Sequence, residues 1–326
     1  MKKRILSGMR PTGPLHLGNY HGALANWVRL QEEYDCFFFV ADWHALTSDY
    51  EKTDAISGYI TDILLDWLSV GLDPEKSTLF IQSRVKEHAE LFLILSMITP
   101  VPWLERNPTY KDQIEQLSSK DLSTFGFLGY PVLQAADIIM YKPYGVPVGV
   151  DQAPHVEITR EIARRFNHFY GPVFPEPEVV LTQTPKLLGT DRRKMSKSYG
   201  NSIFLCDTAD ETQKKILPMV TDPARVRRTD AGDPDKCPVF TLHRVVTGAA
   251  ERERLVEGCR GAGIGCIECK RVLIGHVNES LAPLRKRRGE LAADPGLGER
   301  ILAEGTARAR DEAARVMDSV RKAVRL

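Results

Sequence analysis

Apolar positions in the first half of the chain follow two alternating rhythms. Short runs rich in β-branched, leucine and aromatic side chains occupy residues 4–7, 36–41, 77–82 and 146–150. Between them, residues 17–33, 53–70 and 153–166 repeat apolar side chains at helical spacing. Strands that alternate with helices in this way predict a parallel sheet covered by helices, the α/β class. Residues 88–119 are helical in pattern but interrupted by Pro100, Pro102 and Pro108, with a partly apolar surface, which predicts an insertion that packs against a partner. Beyond about residue 205 strand signals nearly vanish. There the segment 308–324 sets Ala309, Ala313, Val316 and Val320 along one helical face. The expected organisation is an α/β domain over residues 1–195 followed by an all-α domain over 196–326.

Composition changes this picture little. With 326 residues, 43% hydrophobic and 27% charged, the chain can fill two modest cores, and it offers no uninterrupted apolar run of membrane length. Residues 1–4 lead directly into a strand without an apolar signal segment, so cytoplasmic location is expected. A net charge of +1 is no evidence for a nucleic-acid partner unless basic residues gather on one face. Two local clusters exist, Arg225, Arg227 and Arg228, and Arg285, Lys286, Arg287 and Arg288; each alone reads as a solvated surface. Six cysteines in a reducing compartment do not imply disulfides. Cys36 and Cys206 lie in apolar runs and read as packing, whereas Cys237, Cys259, Cys266 and Cys269 form a separate group.

Two motifs carry chemistry. Pro14-Leu15-His16-Leu17-Gly18-Asn19-Tyr20 follows the first strand and opens a helix. A helix start offers free backbone N–H groups to a phosphate, a glycine admits close approach, and an imidazole can donate to a phosphate oxygen. Lys194-Met195-Ser196-Lys197-Ser198 sets two lysines around small hydroxyl residues. Such a loop can close on a pyrophosphate leaving group and stabilise the charge that develops on it. Taken singly, the first could be an incidental turn and the second a solvated basic linker.

Together, and in this order, they resemble the HIGH and KMSKS signatures of class I aminoacyl-tRNA synthetases. Tyr130-Pro131-Val132-Leu133-Gln134-Ala135-Ala136-Asp137, followed by Val146-Pro147-Val148-Gly149-Val150-Asp151-Gln152, resembles the tryptophanyl-tRNA synthetases in particular. The likeness covers nearly the whole chain and is strongest over residues 4–200. It implies a Rossmann-like catalytic domain with a helical insertion, an anticodon-binding helical domain, and a homodimer joined through the insertion. It also implies ATP, Mg²⁺, L-tryptophan and tRNA(Trp) as substrates and partners. His16, Lys194 and Lys197 would then serve catalysis. Arg10, Pro11, Thr12, Gly18, Asn19, Gly149, Val150 and Asp151, with Lys194, Met195, Ser196, Lys197 and Ser198, would border ATP. Tyr130 and Gln152 would hold the tryptophan ammonium group, and Val146 and Val148 would flank the indole. The chain departs from the family pattern at Asn19, where the signature often has a second histidine although asparagine is familiar in the tryptophanyl branch, at Gln134, where some relatives have Met, and at Arg10, where other members have Gln.

Indole is a large apolar body with one N–H donor, so a selective pocket needs an acceptor among apolar walls, and Asp137 supplies it. A site that satisfies this N–H rejects phenylalanine without editing. Taken alone, Asp137 could instead be a helix N-cap before Ile138 and Ile139. Rival functions are a tyrosyl-tRNA synthetase, a non-catalytic tRNA-binding relative and a small nucleotidyltransferase; the intact lysines and the long helical half disfavour the last two. Cys266 and Cys269 form a C-x₂-C pair, with Cys259 seven residues before it and Cys237 further upstream. Four thiolates at these spacings suit a metal centre, with zinc and iron–sulfur both open on chemistry alone. Resemblance to the tryptophanyl-tRNA synthetases that carry a similar cysteine pattern points to a [4Fe–4S] cluster.

Overall fold

The computed structural model describes residues 2–108, 110–111, 121–181 and 187–326. Five parallel strands form one sheet in the order β3-β2-β1-β4-β5. They are β1 (Arg4–Met9), β2 (Asp35–Val40), β3 (Ser77–Ile81), β4 (Gly145–Val148) and β5 (Glu178–Leu181). The first four lie where the apolar runs predicted them. β5 was not foreseen, because its four residues are partly solvated and carry no buried apolar run.

Side chains of the central strands alternate between two cores, as the pleat requires. Ile5, Cys36, Phe38, Val40, Leu79 and Ile81 face one core, shared with Trp27, Ile63, Leu64 and Trp67 and with Leu273, Val277 and Leu281 of the second half. Leu6, Phe37, Phe39 and Phe80 face the other, packed on the helices Glu87–Ser96, Phe125–Met140, Ala153–Tyr170 and Leu297–Val324. Burial on both faces explains the continuous apolar lettering of β2 and β3.

The last helix, Leu297–Val324, was foreseen from 308–324 but begins eleven residues earlier. It crosses the sheet edge at β3, where a Cβ on Gly305 would lie 1.8 Å from the Leu79 carbonyl oxygen. Only glycine permits that approach. Arg308 Nη2 donates to the carbonyls of Pro74 (2.9 Å) and Ser77 (3.3 Å) beside it.

The predicted helix over 17–33 is split. Leu17–Asn19 is a single turn, Tyr20–Leu24 takes the wider π form, and Ala25–Glu33 completes the element. Such bulges concentrate at functional sites. Asp137 lies within the helix Phe125–Met140, capped by Thr124, so its N-cap alternative is excluded.

Among the described residues no helix is long and apolar enough to cross a membrane.

Candidate active site

β1 and β4 pair only at Ile5 and Gly145 and diverge beyond them. Strand order reverses at this point, and ligands of open α/β sheets bind in the resulting crevice. A cavity of about 310 Å³ occupies it. Its apolar walls include Phe39, Ile138, Val146 and Val148, and its polar groups include Arg10, His44, Tyr130, Gln134, Asp137, Gln152 and His155. Gly8 contributes room, since a Cβ there would strike the Phe39 ring at 2.5 Å.

Asp137 is fully buried at the cavity wall. Its Oδ2 accepts from His44 Nε2 at 2.8 Å, its Oδ1 from His88 Nδ1 at 2.6 Å, and Gln82 Nε2 donates to both oxygens at 2.8 Å. With Nδ1 donating, His88 presents Nε2 as an acceptor, and the Tyr141 hydroxyl donates to it at 2.7 Å. Burial pushes the Asp137 carboxyl up, but the hydrogen bonds from His44 and His88 outweigh it and hold the group below its usual range. A carboxylate has about four lone-pair sites, and these four contacts use them all, so a ligand N–H would take the place of one arm of the contact that Gln82 shares between the two oxygens. His44, Gln82, His88 and Tyr141 were not singled out from sequence. Lone histidines in apolar stretches carry no signal, although Gln82 directly after β3 occupies the position where functional polar residues are expected.

The two motifs meet beside this cavity. Lys197 Nζ donates to the Gly13 carbonyl at 2.5 Å. The Leu17 N–H donates to the Ile203 carbonyl at 3.0 Å, and a Cβ on Gly18 would lie 3.7 Å from Met195. His16 caps its helix by a reciprocal pair: its Nδ1 accepts from the Asn19 N–H, and its own N–H donates to Asn19 Oδ1, both at 3.1 Å. The cap fixes the tautomer, placing the imidazole proton on Nε2. It also explains Asn19, whose amide oxygen closes the box. Burial, reinforced by the Lys197 charge, lowers the His16 pKa from 6.5 to about 4, so the ring is neutral. Burial likewise lowers Lys197 from 10.5 to about 8.

The remaining expected site residues distribute unevenly. Tyr130, Gln152, Val146, Val148 and Gly149 line the cavity, and Pro11 and Met195 are buried nearby in the chain turns that bear the motifs. Tyr130 approaches His155 Nε2 at 3.4 Å. Thr12, Gly18, Asn19, Lys194 and Ser196 belong to the motif loops rather than to the cavity lining. Val150 points largely outward. Arg10 lines the cavity but also contacts Ser48 and, at 3.4 Å, Asp49. The side chains of Asp151 and Ser198 lie outside what is described, as do residues 109 and 112–119 of the insertion.

Cys237, Cys259, Cys266 and Cys269 border one small cavity of about 20 Å³ with Arg225 and Phe240. Among the described residues, however, no three His, Cys, Asp or Glu side chains are arranged to hold a metal ion. The basic clusters are only partly the solvated faces expected: Arg227, Arg228, Lys286 and Arg287 are exposed, but the other three are not. Arg225 is buried, donating to the carbonyls of Arg228 and Ile264, and Arg288 is taken up by Asp62 and Asp66. Arg285 bonds Asn278 and Thr212. Cys206 is only half-buried.

Residues 1–282 match the family described as tRNA synthetases class I (W and Y). The chain belongs to this family. Within it, the sequence is 54% identical over 325 residues to the tryptophan–tRNA ligase of Thermotoga maritima, with 99% of each chain covered. It is 47% identical to that of Aquifex aeolicus, covering 99% of this chain and all of the relative. The crystal structure of tryptophanyl-tRNA synthetase from Campylobacter jejuni, complexed with ADP and tryptophan, superposes with a TM-score of 0.88 at 35% identity and covers 99% of this chain and 100% of that one. For a class I tRNA synthetase the Rossmann-like sheet with a C-terminal helical region is the expected frame, and it is the one observed.

Proposed function

We propose that the chain activates L-tryptophan with ATP and transfers it to tRNA(Trp). The observation that carries the choice of amino acid is Asp137, a buried ionised acceptor beside the apolar walls formed by Phe39, Ile138, Val146 and Val148. The tryptophan carboxylate attacks the α-phosphorus of ATP in line, giving the adenylate and pyrophosphate. A terminal ribose hydroxyl of the tRNA then attacks the activated carbonyl. Such chemistry depends on positioning and on charge stabilisation at phosphate. Neutral His16 would donate through Nε2, while Lys194 and Lys197 would offset charge on the leaving group. Arg10, Pro11, Thr12, Gly18, Asn19, Gly149, Val150, Asp151, Met195, Ser196 and Ser198 would frame the nucleotide. Tyr130 and Gln152 would receive the ammonium group, with Val146 and Val148 against the ring. Mg²⁺ would accompany ATP and neutralise its phosphates.

The test is amino-acid-dependent exchange of pyrophosphate into ATP. Tryptophan should support it and tyrosine should not; exchange driven by tyrosine would favour the tyrosyl alternative.

Assembly as a homodimer is supported by Leu93, Met97 and Val101, which stand 55%, 72% and 50% exposed on adjoining helices of the insertion. Exposed Arg227, Arg228, Lys286 and Arg287 are available to tRNA in the helical region, residues 196–326. We further propose a [4Fe–4S] centre on Cys237, Cys259, Cys266 and Cys269. The convergence of the four thiols on one point supports it, as does Arg225, whose Nη1 lies 3.8 Å from Cys259 Sγ and whose buried Nε has no partner among the described residues; the space now between the thiols, about 20 Å³, would have to widen to admit a cluster. When bound, a cluster would tie the start of the helix Cys266–Ala292 to the segments before it. Anaerobically purified protein should be brown and contain iron, and Cys266→Ser should abolish both. Colourless protein with one zinc per chain would favour zinc, and absence of both metals would end the proposal.

A further inference from the structure

Asp66 is a fully buried carboxylate in a helix that touches no part of the cavity. Its Oδ1 accepts from Arg288 Nε at 2.9 Å, and its Oδ2 accepts from the Leu15 backbone N–H at 3.3 Å. Arg288 completes its fork on Asp62 Oδ1 at 2.6 Å and is itself only 21% exposed. Arg288 lies near the end of the helix Cys266–Ala292, which packs along the helix Ile56–Ser69 that carries Asp66.

Leu15 immediately precedes His16. Its side chain is fully buried, and its carbonyl accepts from the Leu205 N–H at 2.8 Å. With the N–H of the Pro14–Leu15 peptide held by Asp66 and the carbonyl of the Leu15–His16 peptide held by Leu205, the backbone that leads into His16 has little freedom. A buried carboxylate with this little solvent persists only when paired, and Arg288 is the cation that pairs with it. The charge also reaches Lys197, on which Asp66 acts favourably through space. One element of the helical region is therefore joined by hydrogen bonds to the motif that carries His16, and by charge alone to Lys197.

Resting on the proposed contact of His16 with phosphate, we propose that Asp66, held by Arg288 from the helical half of the molecule, is a positioning residue for ATP, fixing the backbone at Leu15 immediately before His16. Neither residue touches substrate. Loss of the pair should affect the use of ATP and leave the tryptophan pocket as it is.

The discriminating variant is the double replacement Asp66→Leu with Arg288→Met. Apolar residues of similar volume can replace a buried ion pair without loss of fold, yet the Leu15 N–H loses its acceptor. In pyrophosphate exchange the KM for ATP should rise about three- to tenfold, the effect of one lost hydrogen bond, while the KM for tryptophan stays within about twofold. Wild-type values for both substrates in a folded double variant, shown by calorimetry, would overturn the proposal, as would equal losses for both. Should that variant not fold, Asp66→Asn takes its place. Its amide cannot accept from Leu15 and Arg288 together with the same strength, so the same selective rise in ATP KM is expected, and unchanged ATP kinetics would again overturn it. Arg288→Lys, which keeps the charge, should recover most of the wild-type behaviour. His16→Ala is measured alongside. If it leaves ATP kinetics unchanged, the phosphate role of His16 fails and this proposal with it. If it impairs them while the Asp66 variants behave as wild type, only the positioning role is lost.

Discussion

Replacing Asp137 by Asn keeps the shape of the side chain and removes one acceptor oxygen and the charge. In the native site both oxygens accept, from His44 at 2.8 Å, from His88 at 2.6 Å and from Gln82 at 2.8 Å. The amide nitrogen of Asn would face a donor on one side, and either His44 or His88 would have to change tautomer to satisfy it. Hydrogen bonds to charged groups are worth about 1.5–3 kcal/mol against about 1 for neutral ones, so weakening two of them should cost about 1–4 kcal/mol of stability. For a chain of 326 residues that is a fall in Tm of roughly 2–6 °C. The second consequence concerns substrate. The indole N–H loses a charged acceptor, and kcat/KM for tryptophan should fall by about one to two orders of magnitude. An analogue with sulfur in place of the indole N–H never used that acceptor, so its kcat/KM should change far less. Pyrophosphate exchange with both amino acids measures the ratio directly. Refutation would be a folded Asp137→Asn protein with an unchanged ratio, because Asp137 would then serve only the buried network and not the ligand.

Lys194→Ala and Lys197→Ala should each lower kcat for adenylate formation by about 10²-fold with little effect on tryptophan Kd; equal losses in binding and rate, by single-turnover kinetics and calorimetric titration, would contradict a transition-state role. Because Lys197 titrates at about 8, kcat/KM for ATP should decline as pH rises through that value and its charge is lost, a limb that Lys197→Arg should move upward. His16 has a folded pKa of about 4, below the 6.5 of the unfolded chain. Its contribution to stability is therefore complete above about pH 6.5 and lost as pH falls toward 4, so the urea midpoint of ligand-free protein should drop over that interval, and less so in His16→Asn. Gly305→Ala should lower Tm by a few degrees at roughly 1–3 kcal/mol, read by calorimetry, because its Cβ has no space beside the Leu79 carbonyl.

What could be read from sequence was what local chemistry encodes. Four strands are visible because parallel strands buried on both faces must be apolar throughout; β5 escaped because Glu178–Leu181 sits at the partly solvated edge. The two motifs that meet beside the cavity were legible because each is contiguous, and Asp137, which lines the cavity, because a pocket proposed for indole demands an acceptor. Its supporting donors were not, since His44, Gln82, His88 and Tyr141 come from separate elements and converge only in space. The basic segment 285–288 misled for a related reason. Nothing local to Arg288 announces that its partner is a carboxylate more than two hundred positions earlier, at Asp66.

The placement of the final helix has a consequence for synthesis. β3 is an edge strand, and an uncovered edge is a template for pairing with another chain. Here its cover is Leu297–Val324, which is made after all five strands. Until it emerges, a nascent chain with its other strands already assembled keeps an open edge and an apolar face that lacks Ala309, Ala313, Val316, Met317 and Val320. Translation stalled or terminated shortly before residue 297 would therefore release a sticky, chaperone-dependent product, and the vulnerable interval closes only once this helix has been made.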